Sequence, residues 1–149
     1  MRIIENLTES YCEQLLKLYK QAWWATDRTL DEAKCCLNGS QLTIGVLNES
    51  GNLVAFSRVL TDYVFKAFIF DVIVDEHHRG NQLGDRLLSH IRTHPTLAGV
   101  KHIELYCRDD VLDFYVSRGF ERQSNGFHFM RANGRTADFA GHSNPTPSE

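Results

Sequence analysis

The 149-residue chain has no basic excess. Sixteen lysines and arginines stand against nineteen aspartates and glutamates, for a formal charge of −3. A nucleic-acid binder would show a concentrated positive footprint, so no nucleic-acid partner is expected. No apolar run approaches the roughly 20 residues that a membrane-crossing helix requires, and no membrane partner is expected either. The four cysteines, Cys12, Cys35, Cys36 and Cys107, show no C-x-x-C spacing. With no secretory signal at the start, that predicts reduced thiols in a cytoplasmic protein. Internal repeats are absent too. The rest is ordinary globular composition, 42% hydrophobic and 23% charged, in a length that fits one domain with a real core.

The most informative segment runs from Phe68 to Ile91. Phe68-Ile-Phe-Asp-Val-Ile-Val74 is β-branched and aromatic, the composition of a strand. Leu83, Leu87, Leu88 and Ile91 recur at the spacing of an amphipathic helix. Between them lies a short loop with one arginine and two glycines. A strand that delivers such a loop onto a helix N-terminus makes an anion site, because the first N–H groups lack intrahelical partners and the helix dipole adds positive charge. A phosphate or pyrophosphate is the expected ligand.

Around this segment, Arg2-Ile-Ile-Glu5 predicts a first strand, and Thr8 an N-cap for a helix reaching Trp23. Thr29-Leu-Asp-Glu32 has capping-box spacing for a second helix, closed by Asn38-Gly39. Residues 42–47 and 53–60 read as a hairpin, and a turn around Thr61–Phe65 leads into the strand at 68–74. His102–Cys107 alternates as a strand, and Asp109 or Asp110 can cap a helix over Val111–Arg118. Phe120–Gln123 and Phe127–Arg131 predict a closing hairpin around Asn125-Gly126. The order β-α-α-β-β-β-α-β-α-β-β is an α+β arrangement. From Ala132 the chain is polar, with little means of packing itself.

Arg79-Gly-Asn-Gln-Leu-Gly84 matches Q/R-x-x-G-x-G/A at its first and last positions, with Gln82 in place of the inner glycine. Leu112-Asp-Phe-Tyr-Val-Ser-Arg-Gly-Phe120 supplies a helix ending in tyrosine and then Gly-Phe. Together these motifs resemble the GNAT superfamily of acetyl-CoA-dependent N-acetyltransferases. The resemblance covers residues 1–131, which it implies form one domain, with 132–149 as a polar tail. It implies a mixed, mostly antiparallel central sheet flanked by about four helices. It also implies acetyl-CoA as acyl donor, held at Arg79, Gly80, Asn81, Gln82, Leu83, Gly84 and Asp85. Backbone near Ile73 and Val74 would take the pantetheine arm and the oxyanion contact. Gln82 is accommodated if its backbone is helical and its side chain turns outward.

Acetyl transfer needs a neutral amine, a polarised carbonyl and an acid for the departing thiolate. Tyr115 stands at the family's position for that acid, with Tyr106 as fallback. Of an acidic pair common on the central strand, only Asp71 remains; Phe70 fills the other position. Alternation puts Asp71 between Ile69 and Ile73 on one strand face, and Arg58 nearly opposite if the turn centres near Val64 and Phe65. Three roles stay open for Asp71: base, anchor for a substrate amine, and structural ion pair. Trp24, Asp27 and Arg28, with Arg58, are candidates for the acceptor pocket, whereas Trp23 is expected in the core.

His90 and His94 have i, i+4 spacing, but no acidic partner is evident in the sequence, so no metal site is expected. Cys107 reads as a strand-end cysteine. Phe68 and Phe70 favour a small acyl group. The resulting expectation is direct acetyl transfer to a primary amine of a small molecule or peptide. The competing class is a non-catalytic acyl-CoA-binding sensor, motivated by Phe70 and Gln82. An exposed edge strand and the tail make a homodimer an expectation as well.

Overall fold

In a computed structural model the described residues are 1–134, which form two compact units, Met1–Cys107 and a second beginning at Arg108. The polar tail expected from residue 132 lies, from 135 onward, outside the described residues. The first unit contains β1 (Arg2–Glu5), α1 (Cys12–Gln21), α2 (Leu30–Gly39), β2 (Leu42–Leu47), β3 (Leu53–Thr61), β4 (Lys66–Val74), α3 (Leu83–Arg92) and β5 (His102–Glu104). The second contains α4 (Asp109–Val116). The sheet order is β1-β2-β3-β4-β5, antiparallel except at the parallel β4·β5 pair. This is the expected α+β class.

Helices cover both faces of the sheet. Leu15, Leu18 and Tyr19 of α1 and Ala33 and Leu37 of α2 share a buried cluster with Phe56 and Ile73. Helix α3 packs across β2, β3 and β4 through Leu83, Leu87, Leu88 and Ile91, none of which belongs to that cluster. Strand β2, covered on two sides, is buried at every position, which is why it reads as a continuous apolar run. Gly45 in β2 is a close-approach site: a Cβ there would meet Leu53 Cδ1 at 2.6 Å and Ile4 Cγ1 at 3.3 Å. The β3–β4 turn is held by Asp62, whose carboxylate accepts from the N–H groups of Val64, Phe65 and Lys66.

Strand β4 carries a bulge that the alternation pattern does not announce. Ile73 pairs with Phe56 and Phe70 with Arg58, so Ser57 alone faces both Asp71 and Val72. Asp71 takes φ 57°, the left-handed conformation that inserts the extra residue. Counting along the regular β3, the partners Val59 and Phe56 point to opposite faces, and so do Ile69 and Ile73. The expectation that Asp71 shares one face with both isoleucines is therefore corrected. The bulge swaps the faces and turns the carboxylate toward α1.

Other local expectations also change. Thr8 precedes a 3-10 turn at Glu9–Tyr11 without a side-chain cap bond, and α1 ends at Gln21. Trp23 therefore lies in the turn after α1, 63% exposed, and not in the core. The capping box of α2 is present: Thr29 Oγ1 accepts from the Glu32 N–H, and the Glu32 carboxylate from the Thr29 N–H. Its end differs, because Gly39 is the last helical residue and the Ser40 hydroxyl donates to the Cys36 carbonyl at 2.6 Å. Arg108 is the N-cap of α4, with Asp109 and Asp110 inside the first turn. Residues 120–131 form no strand. Phe127, Phe129 and Met130 are exposed there, and a two-stranded ribbon with no buried apolar face is marginal in water.

Candidate active site

The centre of the first unit's site is the Asp71 carboxylate, whose side chain is 4% exposed. Its Oδ2 accepts from Tyr19 Oη at 2.9 Å, Arg28 Nη1 at 2.8 Å and Arg58 Nε at 2.7 Å, and its Oδ1 from Arg28 Nη2 at 3.3 Å. Burial alone would raise the Asp71 pKa. The Arg28 hydrogen bonds and the Arg58 charge outweigh it and hold the carboxyl below the ordinary aspartate value. Burial works against both guanidinium charges as well, and Asp71 again reverses the outcome, raising Arg28 and Arg58. Burial, reinforced by the neighbouring carboxylate, pushes the Tyr19 phenol upward, so it remains a donor.

Two cations on one carboxylate leave a surplus positive charge. Arg28 is sandwiched further: its guanidinium carbon lies 4.4 Å from the Tyr19 ring centre and 5.1 Å from that of Trp24. Arg58 lies over the Phe70 ring at 4.9 Å. Phe70 in turn packs on Phe68 at 4.9 Å, and Phe68 on Tyr106 at 5.5 Å. The structure thus brings Trp24, Arg28, Arg58 and Asp71 into one cluster. Asp27, exposed in the α1–α2 joint, takes no part in it.

Strand β4 then runs past its parallel neighbour. The β4·β5 pairing ends at Phe68 and Glu104, whereas β4 continues to Val74. Along Ile69–Val74, including Ile73 and Val74, the β5-side edge of β4 has no β5 residue opposite it. An extended ligand carrying amides can pair with such an edge.

At the end of β4 the chain enters the glycine loop. Asp75 organises that entry. Its carboxylate accepts from Gln21 Nε2 at 2.8 Å and from the His77 N–H at 3.1 Å, and His78 Nδ1 lies 2.7 Å away. Gln21 returns a bond by accepting from the Glu76 N–H at 2.9 Å. Gly80 has φ 82° with no atom within 4 Å of a would-be Cβ, so the loop surface there is open. Helix α3 starts after Gln82, with the Arg86 N–H donating to the Gln82 carbonyl at 3.1 Å. The N–H groups of Leu83 and Gly84 precede the first intrahelical bond and face the loop side of the helix start. A pyrophosphate fits this donor set and the Arg79 charge. Asp85, an acid in the first turn, is the one expected loop residue whose charge opposes an anion.

Gln82 requires a correction. Its backbone is left-handed, φ 58° and ψ 25°, not helical. The glycine normally found there is favoured by that conformation, and a glutamine bears the strain.

Tyr115 belongs to α4 in the second unit. Its ring stands edge-on to Phe114 at 5.0 Å and to Phe120 at 5.9 Å. The statement that no acid accompanies His90 and His94 is also overturned: Glu5 Oε1 lies 2.5 Å from His90 Nε2 and 3.2 Å from His94 Nε2. Sequence reasoning missed Tyr19, Gln21 and Asp75. Tyr19 is hidden in an apolar helix stripe. Asp75, an N-cap-type residue after a strand, carried a readable signal.

A central strand bulged at its carboxylate, a parallel neighbour whose pairing stops at Phe68 and a glycine loop opening the next helix together form the candidate site of the first unit. The sequence pattern of the Acetyltransferase (GNAT) family matches residues 4–120, and the chain belongs to this family. Among its relatives, a soybean protein named histone acetyltransferase TAP1 is 31% identical over 83 residues, 56% of this chain and 36% of that protein. The chain therefore spans about a third of the length of that relative. An uncharacterized ycf52-like N-acetyltransferase from Prochlorococcus marinus is 28% identical over 116 residues, 76% of this chain and 64% of that protein. A solved structure from Xanthomonas campestris, assigned to the same family, superposes with a TM-score of 0.68 at 26% identity, covering 82% of this chain and 86% of its own. Acetyl-CoA is the donor generally used by this family.

Proposed function

We propose that the protein transfers the acetyl group of acetyl-CoA directly to a primary amine of a small molecule or peptide. The observation that carries this reading is the stretch of β4 beyond its β5 pairing, which leads into the Arg79–Gly84 loop. When bound, the cofactor supplies an acetyl group activated as a thioester. Arg79 and the N–H groups at the start of α3 neutralise its pyrophosphate. The Ile73 and Val74 backbone holds the amide-bearing arm and the carbonyl. Tyr115, assigned from its motif, protonates the departing sulfur. The aromatic trio Phe68, Phe70 and Tyr106 restricts the acyl group to a small one.

Asp71 is a positioning group in this reading. A carboxylate that already accepts four hydrogen bonds and is held below its usual pKa is a poor base. Water takes the amine proton instead. The surplus charge of Arg28 and Arg58 over Asp71 favours acceptors that carry a negative group beside the amine. Four free cysteines support a reducing compartment, as expected for a cytoplasmic enzyme. No helix among the described residues is long and apolar enough to cross a membrane.

The test is thiol release from acetyl-CoA over a panel of amines with and without carboxylates. Turnover is expected with the carboxylate-bearing members, and Tyr115→Phe should cut kcat while leaving cofactor affinity nearly unchanged. The strained Gln82 and the engaged Asp71 favour a second reading, a cofactor sensor. Tight coenzyme A binding with no turnover on any amine would select it.

A further inference from the structure

Away from the acyl-transfer site, three potential metal ligands converge from distant parts of the first unit. Glu5 ends the edge strand β1, His90 sits in the last turn of α3, and His94 precedes Pro95 just beyond that helix. One ligand atom from each lies within 4.8 Å of both others. The two imidazoles are 5.7 Å apart at their ring centres and present Nε2 to the same glutamate oxygen. We propose that Glu5, His90 and His94 bind one divalent transition-metal ion of the zinc type.

The donor set selects the ion. Two imidazole nitrogens suit zinc and its neighbours, and calcium or magnesium would require oxygens. Three protein ligands leave the fourth tetrahedral position to water. Zinc–ligand bonds near 2.1 Å place tetrahedral ligand atoms about 3.4 Å apart. The Glu5–His94 separation of 3.2 Å already meets that. The Glu5–His90 separation of 2.5 Å must open by under an ångström, which an exposed glutamate can supply.

His94 also has an orienting partner. Its Nδ1 lies 2.8 Å from Thr96 Oγ1, which can accept the Nδ1 proton and leave the Nε2 lone pair for the metal. The Thr96 N–H, 3.3 Å from Nδ1, donates to that nitrogen in the other tautomer, so the Nδ1–H form has to be selected on metal binding. Bound metal would tie the edge strand β1 to the C-terminal end of α3. The site lies roughly 10 Å along α3 from the glycine loop, at about 1.5 Å per residue from Leu83 to His90.

The experiment uses the tag-free full chain, stripped with chelator and titrated with zinc by calorimetry and with cobalt by visible absorption. One ion per chain is expected, with the cobalt spectrum of a four-coordinate site and a raised Tm. His90→Ala and Glu5→Gln should each weaken zinc binding by more than about tenfold. A Cys35→Ser/Cys36→Ser variant and a His77→Ala/His78→Ala variant should bind as the parent does. His94→Ala belongs to the same series but is buried enough to threaten folding, so the first two variants carry the decision. Absence of binding at millimolar zinc would overturn the proposal. So would equal binding by His90→Ala and the parent, or loss of binding in the cysteine variant.

Discussion

Asp71 shows how one buried carboxylate can gather residues from a helix, a turn and a neighbouring strand. Four donor atoms from three residues surround its buried carboxylate, and two of those residues are cationic. Asp71→Asn leaves two guanidiniums without a counter-ion, which should cost about 3 kcal/mol, a fall in Tm of roughly 10 °C for a unit of this size. The pH dependence follows from the direction of the shift. A folded pKa held below the unfolded value stabilises the protein above about pH 3.9, and that contribution is lost as pH falls through the lower folded pKa. The stability gap between parent and Asp71→Asn should therefore narrow on acidification below that value, as read by urea unfolding across pH. A gap independent of pH would show that Asp71 is not the ionised partner. The sequence announced this carboxylate and its opposition to Arg58, because turn length and strand pairing are short-range rules. It did not announce Tyr19, nor that Arg28, a candidate for the acceptor pocket, would bond to Asp71. Those come from a helix and its following turn, 52 and 43 residues away, and their approach depends on a bulge with no pattern signature.

At the level of elements, the opening of α3 is a left-handed residue followed by N–H groups that precede the first intrahelical bond. Gln82→Gly removes the cost of a side chain at φ 58°, roughly 1 kcal/mol, and returns part of it through unfolded-chain entropy. The expected net is a stabilisation of about 0.5 kcal/mol, and Gln82→Val should shift the denaturation midpoint the other way. Equal midpoints for all three would mean that the loop does not hold this conformation in solution. The approach to α3 rests on Asp75, which ties the end of β4 to Gln21 of α1. Asp75→Ala should raise KM for acetyl-CoA several-fold with a smaller effect on kcat, since it loosens binding groups without touching the reacting atoms. A kcat loss with unchanged KM would place Asp75 in the chemistry instead. Elements with strong local signals, such as the Thr29 capping box and the β2–β3 hairpin, were legible. The closing hairpin at 120–131 was not, because apolar alternation predicts a strand only where a partner face exists to bury it.

For the whole molecule, a chain of net charge −3 would bind the polyanionic donor proposed for it through short-range positive features, against an unfavourable overall field. Those features are Arg79 and the uncapped start of α3, with Asp85 opposing them in the first turn. Screening acts on both fields, but the close contacts dominate, because their charges lie well within the Debye length of about 10 Å at 0.1 M salt. Coenzyme A affinity should therefore fall as salt rises, with a shallower dependence in Arg79→Gln than in the parent, since one charge contact is gone. Calorimetric titration over a salt series measures both slopes. Ligand linkage gives an independent reading: at a free concentration of 100 Kd, coenzyme A should stabilise the fold by about 2.7 kcal/mol. In Arg79→Gln the same ligand concentration must stabilise less. Identical slopes and identical thermal shifts would remove Arg79 from the phosphate site and leave the backbone of α3 as its positive element.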